Sequence, residues 1–134
     1  MSSAHSVIVV EDDEDDFFLT ERVLRRYTSG RIVRVESGAA AIDFLGGRGT
    51  YADRTAHPLP AVMFLDLKMD QVSGHDVLAA VRQSPPNPLP KIYVLTGSNE
   101  PRDRELVKNS GVAAGYIVKP LTPQHLTAIF GPPE

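Results

Sequence analysis

The sequence predicts an α/β fold, an open, doubly wound sheet of five parallel strands with helices on both faces. Three observations lead there. Five short β-branched or apolar runs alternate with five segments of helical period. The first and third runs are continuously apolar, as strands covered on both faces are. Finally, acids, hydroxyls or a lysine follow the strand ends, the edge at which such sheets bind ligands.

The elements follow in chain order. Val7-Ile8-Val9-Val10 is the first strand and stops at acids. From about Asp13 to Tyr27 apolar residues recur at helical spacing, with acids in the first turn and Arg25-Arg26 in the last, the charge order the helix dipole favours; Ser29-Gly30 ends it. Ile32 to Val35 is the second strand, and Ala39 to Leu45 a short helix closed by Gly46-Gly47. A long polar connection, residues 46–60, leads to the third strand, Ala61 to Leu65, with Asp66 at its carboxyl end. After a turn holding Ser73-Gly74, a helical pattern carries Val77, Leu78 and Val81 until prolines between Ser84 and Pro90 break it. Ile92 to Leu95 is the fourth strand, Pro101 to Ser110 a helix stopped by Gly111, and Tyr116 to Val118 the fifth strand. Thr122-Pro123 caps a last helix of about two turns, ended by Gly131-Pro132-Pro133.

Composition narrows the function. The 134 residues are expected to form one domain, residues 1–134, with any output module on another chain. With 14 Lys+Arg against 17 Asp+Glu, the net charge of −3 disfavours a nucleic-acid binder. No apolar run approaches the ~20 residues of a membrane span, and Met1 to Ser6 lacks the form of a secretory signal. The absence of Cys removes disulfides, zinc-thiolate sites and thiol nucleophiles, and fits a reducing, cytoplasmic setting. His5, His57, His75 and His125 are scattered without metal spacing, so structural roles are expected of them.

The strand ends carry the chemistry. The first delivers Glu11-Asp12, the third Asp66, the fourth Thr96-Gly97-Ser98 and the fifth Lys119-Pro120. If the first and third strands are neighbours, Glu11, Asp12 and Asp66 converge, and their repulsion calls for a cation. An all-oxygen site of one or two carboxylates suits Mg²⁺. Lys119 adds an ammonium and Thr96 a hydroxyl. Together they describe a phosphoryl pocket built around an Asp side chain, since phosphoryl transfer is mostly positioning and electrostatics. Asp13 to Asp16 are expected to be helix-start charges that tune the field or meet a partner. Gly46-Gly47-Arg48-Gly49 follows a helix and lacks Gly-Lys-Ser/Thr, so it is a helix stop and not a phosphate loop.

Four stretches in combination, Val9-Val10-Glu11-Asp12, Met63 to Met69 with Gly74 eight residues after Asp66, Val94 to Ser98, and Gly115 to Pro120, resemble the two-component response-regulator receiver domain over essentially the whole chain. The resemblance implies a three-layer flavodoxin-like sheet of strand order 2-1-3-4-5 and a phospho-accepting switch, not an enzyme, that hydrolyses its own acyl phosphate slowly. It implies Asp66 as phosphoacceptor, Asp12 as a direct Mg²⁺ ligand, Glu11 as a ligand through water and Lys68 through its backbone carbonyl. Thr96 and Tyr116 fill switch positions, Lys119 contacts the phosphoryl group, and a cis peptide often precedes the proline matching Pro120. The implied partner is a histidine kinase, with a histidine phosphotransfer protein as a further possibility; monomer and homodimer both remain open. The 46–60 connection resembles that of small stand-alone regulators paired with bacterial phytochrome-like sensor kinases. The first helix, with Phe17 or Phe18 exposed, and Leu121-Thr122 are the expected kinase contacts.

Two departures stand out. Asp70 occupies a position where the family commonly has proline, which implies a looser turn and a more negative field, and the last helix is short. Two rival readings are a Mg²⁺-dependent phosphatase or phosphotransferase working through an aspartyl phosphate, and a non-phosphorylated receiver-like scaffold. The first usually has a second acid where this chain has Lys68. The second would have lost a site residue, and none is lost.

Overall fold

A computed structural model of the protein describes residues 5–133; residues 1–4, which belong to the stretch expected to lack a secretory signal, and Glu134 lie outside it. The strands are β1 (Val7–Val10), β2 (Ile32–Val35), β3 (Val62–Leu65), β4 (Lys91–Thr96) and β5 (Ala113–Val118). Among the described residues they form one sheet, all parallel, in the order β2-β1-β3-β4-β5. The helices are α1 (Glu14–Leu24), α2 (Gly38–Gly46), α3 (Gly74–Gln83), α4 (Pro101–Ser110) and α5 (Pro123–Phe130), with a short 3-10 turn at Gly49–Tyr51. No described helix is long and apolar enough to cross a membrane.

Strand pleating divides the core in two. Ile8, Val10, Met63, Leu65, Ile92 and Val94 point to one face, where they pack with residues of α2, α3 and α4. Val7, Val9, Val62, Phe64 and Leu95 point to the other, against Leu24 of α1 and Leu126 of α5. Both faces of the central strands are therefore dry, which is why their sequences are apolar without alternation. Strand order reverses between β1 and β3, so the crevice beyond their carboxyl ends is left open by the helices on either side.

Several boundaries differ from the sequence reading, each for a local reason. Helix α1 stops at Leu24 and not Tyr27: Arg26 and Tyr27 donate to the carbonyls of Val23 and Leu24, tightening the chain. Tyr27 is drawn away to α5, where its hydroxyl bonds the Pro123 carbonyl at 2.9 Å and lies 3.0 Å from Thr127 Oγ1. Strand β5 begins three residues early, at Ala113. Ala113-Ala114-Gly115 carries little strand propensity, but β4 supplies the ladder, and a Cβ at Gly115 would come 3.0 Å from the Tyr93 ring. The 46–60 connection is pinned as well. Arg54 donates to the last carbonyls of α2, Phe44 (2.7 Å) and Leu45 (2.9 Å), while Tyr51 and His57 pack on the Phe44 ring. Gly47, at φ 64°, ends α2 as expected.

Candidate functional site

Because β1 ends at Val10 and β3 at Leu65, their next residues emerge side by side. The Glu11 amide donates to the Val35 carbonyl at 3.0 Å and the Asp66 amide to the Val10 carbonyl at 3.2 Å, so the last rungs of the sheet fix both. Carboxylate oxygens of Glu11, Asp12 and Asp66 lie within 4.8 Å of one another. Glu11 and Asp66 are buried and Asp12 is exposed, so the group has a dry floor and a wet mouth. From the far side of the crevice Lys119 Nζ reaches Glu11 Oε1 at 2.6 Å, Asp16 Oδ2 at 2.8 Å and Asp66 Oδ2 at 2.9 Å.

The electrostatics follow from that geometry. Burial raises the Glu11 pKa most, Lys119 opposes it, and the neighbouring Asp66 charge adds to it; the balance pushes Glu11 up to about 7. Burial works against the Lys119 ammonium, but its hydrogen bonds to Asp16, Asp66 and Glu11 outweigh it, and Lys119 is held above its ordinary range. A crowd of carboxylate oxygens facing one ammonium fits a hard divalent cation, and among the described residues this is the one cluster of metal-ligating side chains.

The loop from Asp66 to α3 is built on close backbone approaches. A Cβ on Gly74 would lie 2.3 Å from the Asp66 carbonyl oxygen and 2.7 Å from Leu67 Cα, so only glycine lets α3 start this near the acid. The Ser73–Asp76 capping box then holds that helix start. The Lys68 amide donates to Asp66 Oδ1 at 3.2 Å while its side chain is exposed. Asp70 does not loosen the turn as expected. The Val72 amide donates to the Asp70 carbonyl at 2.8 Å across Gln71, whose φ is 65°, which makes a tight γ-turn.

Thr96, fully buried, ends β4, and its Oγ1 accepts a long bond (3.4 Å) from the Ser98 amide. Tyr116 donates from its hydroxyl to the Ser98 carbonyl at 2.8 Å and carries the Arg104 guanidinium 4.6 Å above its ring; burial raises the phenol's pKa. Ser98 Oγ donates to Asp103 Oδ2 at 2.6 Å, and His75 Nε2 lies 3.0 Å from the other oxygen. The bonds from Ser98, first, and His75 hold the Asp103 pKa below its usual range. Three elements therefore grip the loop after β4. The peptide before Pro120 is cis.

The structure brings Glu11, Asp12, Asp66, Lys68 and Lys119 to one crevice, while Thr96 ends β4 fully buried and Tyr116 lies within β5, its hydroxyl on the loop after β4. The sequence reading did not foresee that Asp16, expected only to tune the field or meet a partner, pairs directly with Lys119. Asp13 is the true cap, accepting from the Asp16 amide at 2.9 Å. The signal was available: with Asp13 as N-cap, Asp16 falls one turn in, on the side facing β5. Asp103 was also missed, since nothing in a lone acid reveals a distant hydroxyl. Of the two aromatics on α1, Phe17 packs on the core and Phe18 is 61% exposed. The exposed Leu19 lines a groove of about 360 Å³ with Val23, Lys119 and Leu121.

Comparison with known proteins agrees with this geometry. The response regulator receiver domain matches residues 7–130. The chain is 32% identical over 96 residues to response regulator Rcp1 of Synechocystis sp., covering 70% of this chain and 63% of that protein. The Mn(2+)-bound crystal structure of Rcp1 matches with a TM-score of 0.75 at 26% identity, covering 95% of this chain and 89% of that one. The phosphorylated cyanobacterial phytochrome response regulator RcpA gives 0.80 at 25% identity, with 96% and 90% covered. The bacteriophytochrome response regulator AtBRR gives 0.77 at 30% identity, with 96% and 94% covered.

Proposed function

The chain belongs to the response regulator receiver domain family, whose members accept phosphoryl groups in two-component signalling, and from that premise we propose that Asp66 is the acceptor and that Glu11, Asp12 and the Lys68 carbonyl join it in holding Mg²⁺. The observation that carries the reading is the meeting of Glu11, Asp12 and Asp66 within 4.8 Å, with Lys119 Nζ 2.9 Å from Asp66. A divalent cation in the related Rcp1 supports a metal here, and hard oxygen ligands favour Mg²⁺. When bound, Mg²⁺ supplies positive charge to the phosphoryl oxygens.

The chain's own residues do the rest. An Asp66 carboxylate oxygen attacks the phosphorus of a phosphohistidine as the bond to the imidazole nitrogen breaks. Lys119 offers its ammonium to the oxygens of the arriving group, and Asp16 keeps that ammonium aimed when Asp66 no longer carries its free carboxylate. Thr96, at the end of β4, donates its hydroxyl to the phosphoryl group and gives up the weak bond from the Ser98 amide. Tyr116 holds the same loop through the Ser98 carbonyl, so the two residues read one event from opposite sides. The acyl phosphate decays slowly by hydrolysis, and no substrate is turned over; the exposed Lys68, where a phosphatase would carry its second acid, supports a switch.

The phosphodonor is a histidine kinase of the phytochrome-linked kind, as the names of RcpA and AtBRR suggest for those proteins, with a histidine phosphotransfer protein as a second possible exchange partner. It acts in the cytoplasm. Leu19 and the groove it lines beside Lys119 offer an apolar contact next to the acceptor, with Phe18 exposed on the same helix. Incubation with acetyl phosphate and Mg²⁺, followed by intact mass measurement, tests the reading. One phosphoryl group is expected, absent in Asp66→Asn. Phosphate on another residue, or no transfer to folded protein, would refute it.

A further inference from the structure

We propose that Arg34 is a positioning residue for the cation site, acting through the backbone of Glu11 and Asp12, an inference that rests on the metal-binding reading above. Arg34 lies on β2, paired in register with Val9 of β1. Its side chain therefore leaves the sheet on the same side as Val9, where the guanidinium sits 5.8 Å from the Phe17 ring of α1. From there Nε donates to the Glu11 carbonyl at 3.0 Å and Nη2 to the Asp12 carbonyl at 2.9 Å. These are the two residues just beyond the last rung of β1, where neither carbonyl has a ladder partner.

A planar fork that takes two successive carbonyls fixes the peptides carrying them, and so fixes the directions in which the Glu11 and Asp12 side chains depart. Phe17 on one side and the carbonyls on the other leave the guanidinium little freedom. The remaining contact, Nη1 to Glu36 Oε1 at 3.2 Å, does not account for an arginine here: Glu36 is 76% exposed, and such pairs contribute little. Lysine would keep the charge but could not span both carbonyls. Among the described residues the Arg34 hydrogen bonds go to the Glu11 and Asp12 carbonyls and to Glu36, not to a site carboxylate, so its influence runs through the main chain.

The test is the Mg²⁺ dissociation constant of the full chain, measured by calorimetry for wild type, Arg34→Lys, Arg34→Met and Glu36→Gln, with melting followed in EDTA. Both Arg34 variants are expected to bind Mg²⁺ about tenfold more weakly, the size seen when groups that orient metal ligands are removed. Glu36→Gln is expected to match wild type. Acetyl phosphate labelling of the Arg34 variants should recover the wild-type rate at saturating Mg²⁺, a loss in half-saturation and not in maximal rate. Should Arg34→Met fail to fold, Arg34→Lys decides alone. A folded Arg34→Lys with wild-type Mg²⁺ affinity, or an equal loss in Glu36→Gln, would overturn the proposal while leaving Asp66 chemistry intact. Wild-type protein that binds no Mg²⁺ would overturn both.

Discussion

Lowering the pH from 8 to 6 should weaken Mg²⁺ binding about tenfold, and the reason is one buried carboxyl. Glu11 is 2% exposed, lies 2.6 Å from Lys119 Nζ, and is pushed up to about 7 by burial and the Asp66 charge. A cation must find it ionised. With a pKa of about 7, roughly nine in ten molecules have the carboxylate at pH 8 and about one in ten at pH 6, so the apparent dissociation constant climbs by about that ratio. Titration calorimetry at both pH values, in buffers of differing ionisation enthalpy, checks it twice: the affinity should fall, and close to one proton should leave per Mg²⁺ bound at pH 6. Glu11→Gln should bind more weakly and lose most of the pH dependence. Affinities within twofold of each other at pH 6 and 8 would mean that Glu11 is ionised throughout, and would refute the reasoning.

The same group sets a sign for metal-free stability. Its folded pKa, about 7, exceeds its ordinary 4.5, so between those values the folded state binds more protons than the unfolded chain. Glu11's contribution is therefore largest at the acid end of that window and is lost as pH rises through 7. Lys119, also raised when folded, contributes fully below its ordinary 10.5 and loses its contribution only in strong alkali.

Gly74→Ala should cost about 2 kcal/mol in urea unfolding and slow labelling by acetyl phosphate, because the new methyl would sit 2.3 Å from the Asp66 carbonyl oxygen and one backbone must yield. Gln71→Gly should stabilise the protein by about 0.5–1 kcal/mol in the same assay, since a left-handed residue costs ~1–2 kcal/mol and glycine's extra entropy returns ~0.5–1. Thr96→Ala should still accept one phosphoryl group by intact mass, while the NMR shift changes of residues 97–100 on phosphorylation shrink; unchanged shifts would remove Thr96 from the switch.

How much was legible in the sequence depended on whether the cause was local. Apolar runs ending in Glu11, Asp66 and Thr96 declared both the strands and the edge that gathers the site, because a strand buried on two faces leaves little choice of residue type. Gly74 was legible only as a spacing after Asp66; its reason, a missing Cβ beside the Asp66 carbonyl, exists only in three dimensions. Asp70 misled, since proline's absence suggested slack and the chain closed the turn with a main-chain bond across Gln71. Contacts such as Ser98 to Asp103 and Arg34 to Glu11 join elements whose relative placement a single sequence does not encode locally.

The charge balance of the crevice explains why Asp16 matters as much as the better-marked acids. Lys119 faces Glu11, Asp16 and Asp66 at 2.6 to 2.9 Å, with Asp12 at the mouth. A single ammonium cannot balance that set, and with burial acting first and the Asp66 charge adding to it, Glu11 keeps a raised pKa despite Lys119. On the proposed function, a bound divalent cation would let Glu11 ionise, and conversion of Asp66 to an acyl phosphate would then replace the carboxylate that Lys119 holds. If Asp16 were absent, Lys119 would lose a partner independent of the reacting acid. Asp16, on α1, thus ties the helix bearing the exposed Phe18 and Leu19 to the ammonium that also faces Asp66. On the proposed function, a partner that binds the exposed face of α1 would act through Asp16 on Lys119 and so on the field at Asp66.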